Sequence, residues 1–244
     1  MSQLRLVSAS IQRDLSILFS DAFLLAVMFA NFTIDLFITA ATFGRLVSTD
    51  YFLFIAPGSN FVTAAVAAFQ SGRDIWREKH IKDLTSYLLT LPISRPLLAL
   101  SRVSGGVLRS LIITFPGTLI VSYLYGIIFD IRVLGAFLLV GLFSMAIVGL
   151  SIAISAFASK IEVFVTLRST VQLFLSFFST VFYPATIFPP FARVIVLSNP
   201  MTWTIEAFRG LRTGESLAPL GLLVPTSIGF ATIGMLVYLW YTKL

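Results

Sequence analysis

Few residues in this 244-residue chain could do chemistry. It has one histidine, His80, no cysteine and 11 acids. A Ser-His-Asp hydrolase would have to use His80, which stands in a run of charges (Arg77, Glu78, Lys79, Lys82, Asp83) suited to a solvated surface. Without cysteine there is no thiolate metal site and no disulfide framework, and no cluster of carboxylates outside that run could hold a metal. No G-x-x-x-x-G-K-[ST] pattern occurs, so no loop that cradles nucleotide phosphates is expected. The chain reads as a non-enzyme with no catalytic, cofactor-binding or metal-binding residue. Energy for uphill work would have to come from elsewhere.

The remaining candidates are polar groups in apolar surroundings. Asp35 lies inside an apolar run, where a carboxylate costs a few kcal/mol and turns toward protein or water. It is either part of a pathway or a polar contact between helices. Pro57 and Gly58 interrupt a second apolar run and either open the backbone beside a cavity or simply kink the helix. Arg168 and Gln172 lie in a later run, with Arg168 an interfacial anchor or a pore-lining cation; Arg109, near the edge of its run, is expected to snorkel. Toward the C-terminus, Asn199-Pro200 forms a turn, and Glu206 and Arg209 stand at i, i+3, the spacing of a surface ion pair.

One stretch differs in kind. Residues 71–102 hold six of the 17 Lys and Arg and three of the 11 acids. Within it Ile81, Leu84, Leu88 and Leu91 repeat at steps of three and four, a helix with one apolar stripe that Pro92 ends. The stripe suits a surface helix that contacts a partner. The basic residues are interleaved with acids against a membrane, which argues against nucleic acid.

The elements that position these groups are membrane spans. The chain is 57% hydrophobic and 11% charged, against about 25% charged in soluble domains. Spans of about 20 residues divide it into six: 22–43, 51–69, 103–125, 133–158, 163–183 and 220–241. Ahead of them, Leu4, Val7, Ile11, Leu15 and Leu18 mark residues 1–20 as an amphipathic helix lying along the bilayer surface. About twenty mixed polar residues precede the first apolar run, so no cleavable leader is expected. Residues 184–219, rich in proline, are expected to form short re-entrant-like helices on the outer side. Ten Lys and Arg fall on the side of the N-terminus (Arg5, Arg13, the six of 71–102, Lys160, Lys243), against Arg45, Arg132, Arg193, Arg209 and Arg212 opposite. The positive-inside rule places both termini and residues 71–102 in the cytoplasm. The expectation is an all-α membrane protein forming a single domain over 1–244.

Three stretches carry a resemblance to a known family. YFLFIAPG holds Tyr51 and Pro57-Gly58; DLTSYLLTLPISR holds Leu88, Leu89, Pro92, Ser94 and Arg95; VFYPATIFPPF and SNPMTWTIEAFRGL hold Pro184, Pro189, Asn199-Pro200, Thr202 and Arg209. In this order and spacing they are similar to the permeases of type-2 ATP-binding-cassette exporters. Where that family often has Gly and Glu in the second stretch, this chain has Asp83 and Ser86, so the glutamate's role passes to neither by position; whether Asp83 or Glu78 takes it is open.

The resemblance implies a membrane-spanning permease of an ATP-driven exporter in the cell membrane. It implies a second permease copy, as homodimer or heterodimer, and a separate ABC ATPase subunit that binds ATP and Mg. It also implies that 71–102 is the segment docking on that ATPase, with Arg77, Glu78, Asp83, Leu84, Leu88, Leu89 and Pro92 as the coupling residues. The alternatives are a stand-alone secondary transporter or channel using Asp35, and a non-transporting membrane scaffold.

Overall fold

The structure is a computed structural model that describes residues 3–20, 22–34, 38, 42, 51–81, 94–214 and 219–241. Among the described residues it is all helical, with no strand. The helices are α1 (Gln3–Ser20), α2 (Ala22–Ile34), α3 (Tyr51–His80), α4 (Arg95–Leu124), α5 (Arg132–Phe157), α6 (Ile161–Phe177), α7 (Pro190–Leu197), α8 (Pro200–Thr213) and α9 (Leu220–Tyr241). A 3-10 turn, Ala185–Ile187, precedes α7. Asp35, Asp83, Leu84, Leu88, Leu89 and Pro92 lie outside the described residues, as does most of the stripe from Ile81 to Leu91.

Four of these helices, α3, α4, α5 and α9, are long and apolar enough to cross a membrane. Two run longer than the apolar runs suggest. The second apolar run ends at residue 69, and the helix that carries it, α3, runs on to His80, 30 residues in all. At 1.5 Å per residue that is about 45 Å, against a hydrocarbon core of about 30 Å, so its charged last turns project beyond the apolar layer. The helix persists because Arg, Lys and Glu are good helix formers and no proline follows until Pro92. Likewise α4 starts at Arg95, with Pro96 in its first turn, and incorporates Arg95 to Arg102. Conversely, α6 ends at Phe177, and the last residues of the expected fifth run form a turn.

The core is built on small residues and hydroxyls. α9 packs along α5 more extensively than any other pair, through Gly149 and Gly234. A Cβ on Gly234 would lie 2.6 Å from Gly149 Cα, and one on Gly149 would overlap the Phe230 carbonyl. Such contacts let backbones approach closely where side chains would hold them apart. α3 is enclosed by α4, α5 and α6. Ser151 Oγ accepts from the Gly72 amide at 3.1 Å and donates to the Phe69 carbonyl at 2.9 Å. A second stitch runs from Ser144 on α5 to Ser110 on α4 (2.8 Å), and from Ser110 to the Ala64 carbonyl on α3 (3.1 Å). Apolar burial gives no drive to associate within lipid, so close packing and interhelical hydrogen bonds of this kind hold such a bundle.

Candidate functional site

The polar groups gather at the two ends of the bundle. At the end formed by the start of α3 and by α8, Phe61 packs edge-on against Phe143 and Phe208, and Tyr125 edge-on against Phe208. Around this aromatic cluster the backbone is bonded by side chains from distant elements. Pro57 cannot donate to the carbonyl of Leu53 four residues earlier. Tyr125 Oη donates to that carbonyl instead, at 3.0 Å. α3 therefore stays continuous through Pro57. Gly58 is needed for contact with the turn after α6, since a Cβ there would lie 2.9 Å from Val181 Cγ1.

Arg209 and Asn199 complete this end. Arg209 pairs with Glu206 as the i, i+3 spacing expects, at 2.7 Å. It also donates to the carbonyls of Phe54 and Thr180, each at 2.8 Å, and its guanidinium lies 3.7 Å above the Phe54 ring. Asn199 is buried and caps α8, accepting from the Met201 amide at 2.9 Å. Its Nδ2 donates to the carbonyls of Leu175 and Phe178, and Tyr51 Oη donates to the Phe182 carbonyl. Pro200 opens α8 in its first turn. These bonds fix the turn after α6, which explains why that helix stops short. The sequence pointed to Glu206 and Arg209 as a surface pair; the structure adds contacts joining the first and third of the quoted stretches. Outside the bundle, just before α5, Asp130 accepts from the Arg132 amide and guanidinium, which hold its carboxyl below the usual carboxylate range.

At the opposite end a buried ion network joins three helices. Arg102 of α4, only 5% exposed, pairs with Glu78 of α3 and with Asp14 of α1 at 3.2 Å. Arg13 of α1 pairs with the same two acids, at 3.0 Å to Glu78 and 2.8 Å to Asp14. Ser101 of α4 donates to Ser10 of α1 at 3.2 Å, and Tyr238 of α9 lies beside Arg102. Gly105 leaves room for the Asp14 carboxylate, which a Cβ would meet at 3.1 Å. Two cations and two carboxylates balance here, as buried charge requires. The sequence counts Arg13 and Arg102 among the cytoplasmic cations and Glu78 among the charges of residues 71–102. Pairing across helices turns all three inward.

Beside the network, Trp76 Nε1 donates to the Ala158 carbonyl at 2.8 Å, pinning the end of α5 to α3. His80 stacks on Trp76 with centroids 4.5 Å apart and its Nδ1 lies 3.1 Å from the Trp76 carbonyl, a helix-end contact. Arg77 and Ile81 are exposed next to it, at the edge of the undescribed residues 82–93. Arg109 does not snorkel. It is 8% exposed and pairs with Asp74 of α3, a partner the bundle supplies at hand. Arg168 is half-buried, with Gln172 one turn further on the same helix.

Among the described residues neither end assembles a nucleophile with a base; the contacts at both ends hold helices together. The arrangement is that of a helical membrane body with a balanced ionic joint at one end and a side-chain-bonded cap at the other. No match to the chain is found among curated proteins. The profile of the ABC-2 type transporter family matches residues 5–211, most of the chain and all three quoted stretches. The chain belongs to the ABC-2 type transporter family, as a multi-pass, non-catalytic transmembrane permease component of an ABC transporter.

Proposed function

We propose that this permease works as an exporter in the cell membrane, one of two permease copies driven by separate ABC ATPase subunits that bind ATP and Mg. In this reading α2 with residues 35–43, and α6 with its following turn, supply two crossings beyond the four long helices. That gives six spans, with both termini and residues 71–102 cytoplasmic. α7 and α8 dip into the outer leaflet.

The observation that carries the coupling is the Arg13–Asp14–Glu78–Arg102 network. It ties α1 to both helices that flank residues 82–93, so a push on that segment moves α1, α3 and α4 together. Closure of the ATPases would then tilt α3 and α4 and open the path outward. Docking has to differ between the two ATPase states, because equal affinity for both shifts nothing. Leu84, Leu88 and Leu89 supply the apolar contact ahead of Pro92, and Arg77 the exposed cation. Glu78 is committed to the network, which leaves Asp83 as the acid that serves where Ser86 stands in place of the family glutamate.

A second copy fits the unpartnered face of α6. Phe164, Val171 and Leu175 turn toward the bundle, while Val163, Thr166, Leu167, Thr170 and Phe174 are exposed. A face that mixes hydroxyls with aliphatic and aromatic side chains suits another helix better than lipid. The path would run between the copies, with Asp35, Pro57, Gly58, Arg168 and Gln172 as helix contacts or lining.

Flux of a lipophilic dye in proteoliposomes tests the reading. It should require the ATPase subunit and ATP. ATP-independent flux through this chain alone, abolished by Asp35→Asn, would instead identify a stand-alone transporter.

A further inference from the structure

α6 turns few side chains inward. Of its 17 residues, all of them described, only Phe164, Leu175 and Ser176 are buried. Leu175 and Ser176 lie in its last turn, at the end where Asn199 bonds the Leu175 carbonyl. In the first half Phe164 alone is buried, and Lys160 gives the helix no side-chain cap. The seat of that half is therefore set by what Phe164 meets.

It meets Trp76 of α3. The indole, 6% exposed, clusters with Phe164 and Ala158 apart from the main core, and Ile154 and Ile161 pack against the three. Its Nε1 donates to the Ala158 carbonyl at 2.8 Å. Only residues 158–160 join α5 to α6, so one side chain of α3 holds the end of one helix and the first turn of the next. His80, the last residue of α3, stacks on the same indole. One turn before Trp76, Ser151 of α5 accepts from the Gly72 amide, fixing the same face of α3 to α5. A buried ring that leaves its place forfeits many contacts at once, so the indole moves with what it touches. The ionic network differs in reach, since its charges belong to α1, α3 and α4.

We propose that Trp76 is a positioning residue for transport: it seats the first turn of α6 and carries movement of the end of α3 to that helix. As a driven joint it presupposes the exporter reading, in which α3 is pushed from residues 82–93 and the path runs beside α6.

The experiment compares dye flux per ATP hydrolysed, in proteoliposomes holding this chain and its ATPase subunit, for wild type, Trp76→Phe and Trp203→Phe. Trp76→Phe keeps an aromatic ring beside Phe164 and loses the N–H donor. Flux per ATP should fall about fivefold, the worth of one hydrogen bond. Trp203→Phe loses an equivalent indole bond, to the Leu197 carbonyl at 2.6 Å at the other end of the bundle, and should keep the wild-type ratio. A merely structural loss lowers flux and ATP hydrolysis together and leaves their ratio alone. If Trp76→Phe is not recovered as monodisperse protein, benzothienylalanine at position 76, which keeps the bicyclic ring and lacks the N–H, should lower the ratio in the same direction. A wild-type ratio in the position-76 variant, or an equal fall in Trp203→Phe, would overturn the proposal. Amide hydrogen exchange of the purified chain alone separates the joint from the exporter reading. Trp76→Phe should speed exchange at residues 158–165 and leave residues 178–183 unchanged. Wild type without ATP-linked flux would sink the exporter reading and leave the joint to the exchange result: faster exchange at 158–165 supports it, and exchange as slow as in wild type overturns it.

Discussion

Tyr125 donates its hydroxyl to the carbonyl of Leu53, the acceptor that Pro57 leaves without a helical donor. A proline in a transmembrane helix frees one carbonyl, and a neighbour must satisfy it. Here the neighbour is a tyrosine just past the end of α4, so the apparent weak point of α3 is bolted to the adjacent helix.

Tyr125→Phe keeps the ring against Phe208 and removes the hydroxyl, with its bond to the Leu53 carbonyl and its contact with Arg209. It should cost about 1 kcal/mol, since a buried carbonyl loses its donor while packing is unchanged. A lowered thermal midpoint in detergent, with unaltered helical content, is the expected result.

The ionic joint makes a stronger prediction. Arg102→Leu leaves Glu78 and Asp14 with only Arg13 between them, and removing one partner from a buried pair costs about 3–5 kcal/mol. The double variant Arg102→Leu with Glu78→Leu should be more stable than Arg102→Leu, because it no longer strands the Glu78 carboxylate. A double-mutant cycle of thermal stability reads this, and additive losses would show that the two side chains do not interact.

Close packing of α5 on α9 is tested by glycine substitution. Gly149→Ala places a Cβ onto the Phe230 carbonyl and should sharply lower the yield of monodisperse protein. Gly221→Ala, with nothing within 4 Å of its Cβ, should be tolerated.

The chain has no native cysteine, so single cysteines report topology directly. Phe129→Cys, at a position 97% exposed, should react with a membrane-impermeant maleimide in intact cells. Lys160→Cys should react only after permeabilisation. The reverse pattern would invert the orientation.

Much of this fold is legible in the sequence, because apolar runs, proline turns and the i, i+3 spacing of Glu206 and Arg209 are local signals. What pairs across the chain is not. Arg13 and Glu78 are 65 residues apart, and Arg102 and Asp14 are 88 apart. Helical periodicity ranks the faces of one helix and says nothing of which face meets which. Arg109 illustrates the same limit: snorkelling is the cheaper choice for an isolated cation, and only the packed bundle supplies Asp74. How far α3 runs past its apolar stretch is hidden for a different reason. Charge ends an apolar run, but it does not end a helix whose residues favour one. For the coupling residues, Glu78 is placed inward, whereas Leu84 and Leu88 lie outside the described residues, so their role rests on the stripe and the family.

The central claim is that an ABC ATPase docks on residues 82–93 and drives this permease. The most direct measurement is purification of the tagged chain from its native membrane in mild detergent, wild type beside Leu84→Asp. The account predicts an ATPase subunit in matching stoichiometry with the wild type, and its loss from a Leu84→Asp protein that remains folded and membrane-embedded. An ATPase absent from a monodisperse wild-type preparation, or retained equally by Leu84→Asp, would contradict it.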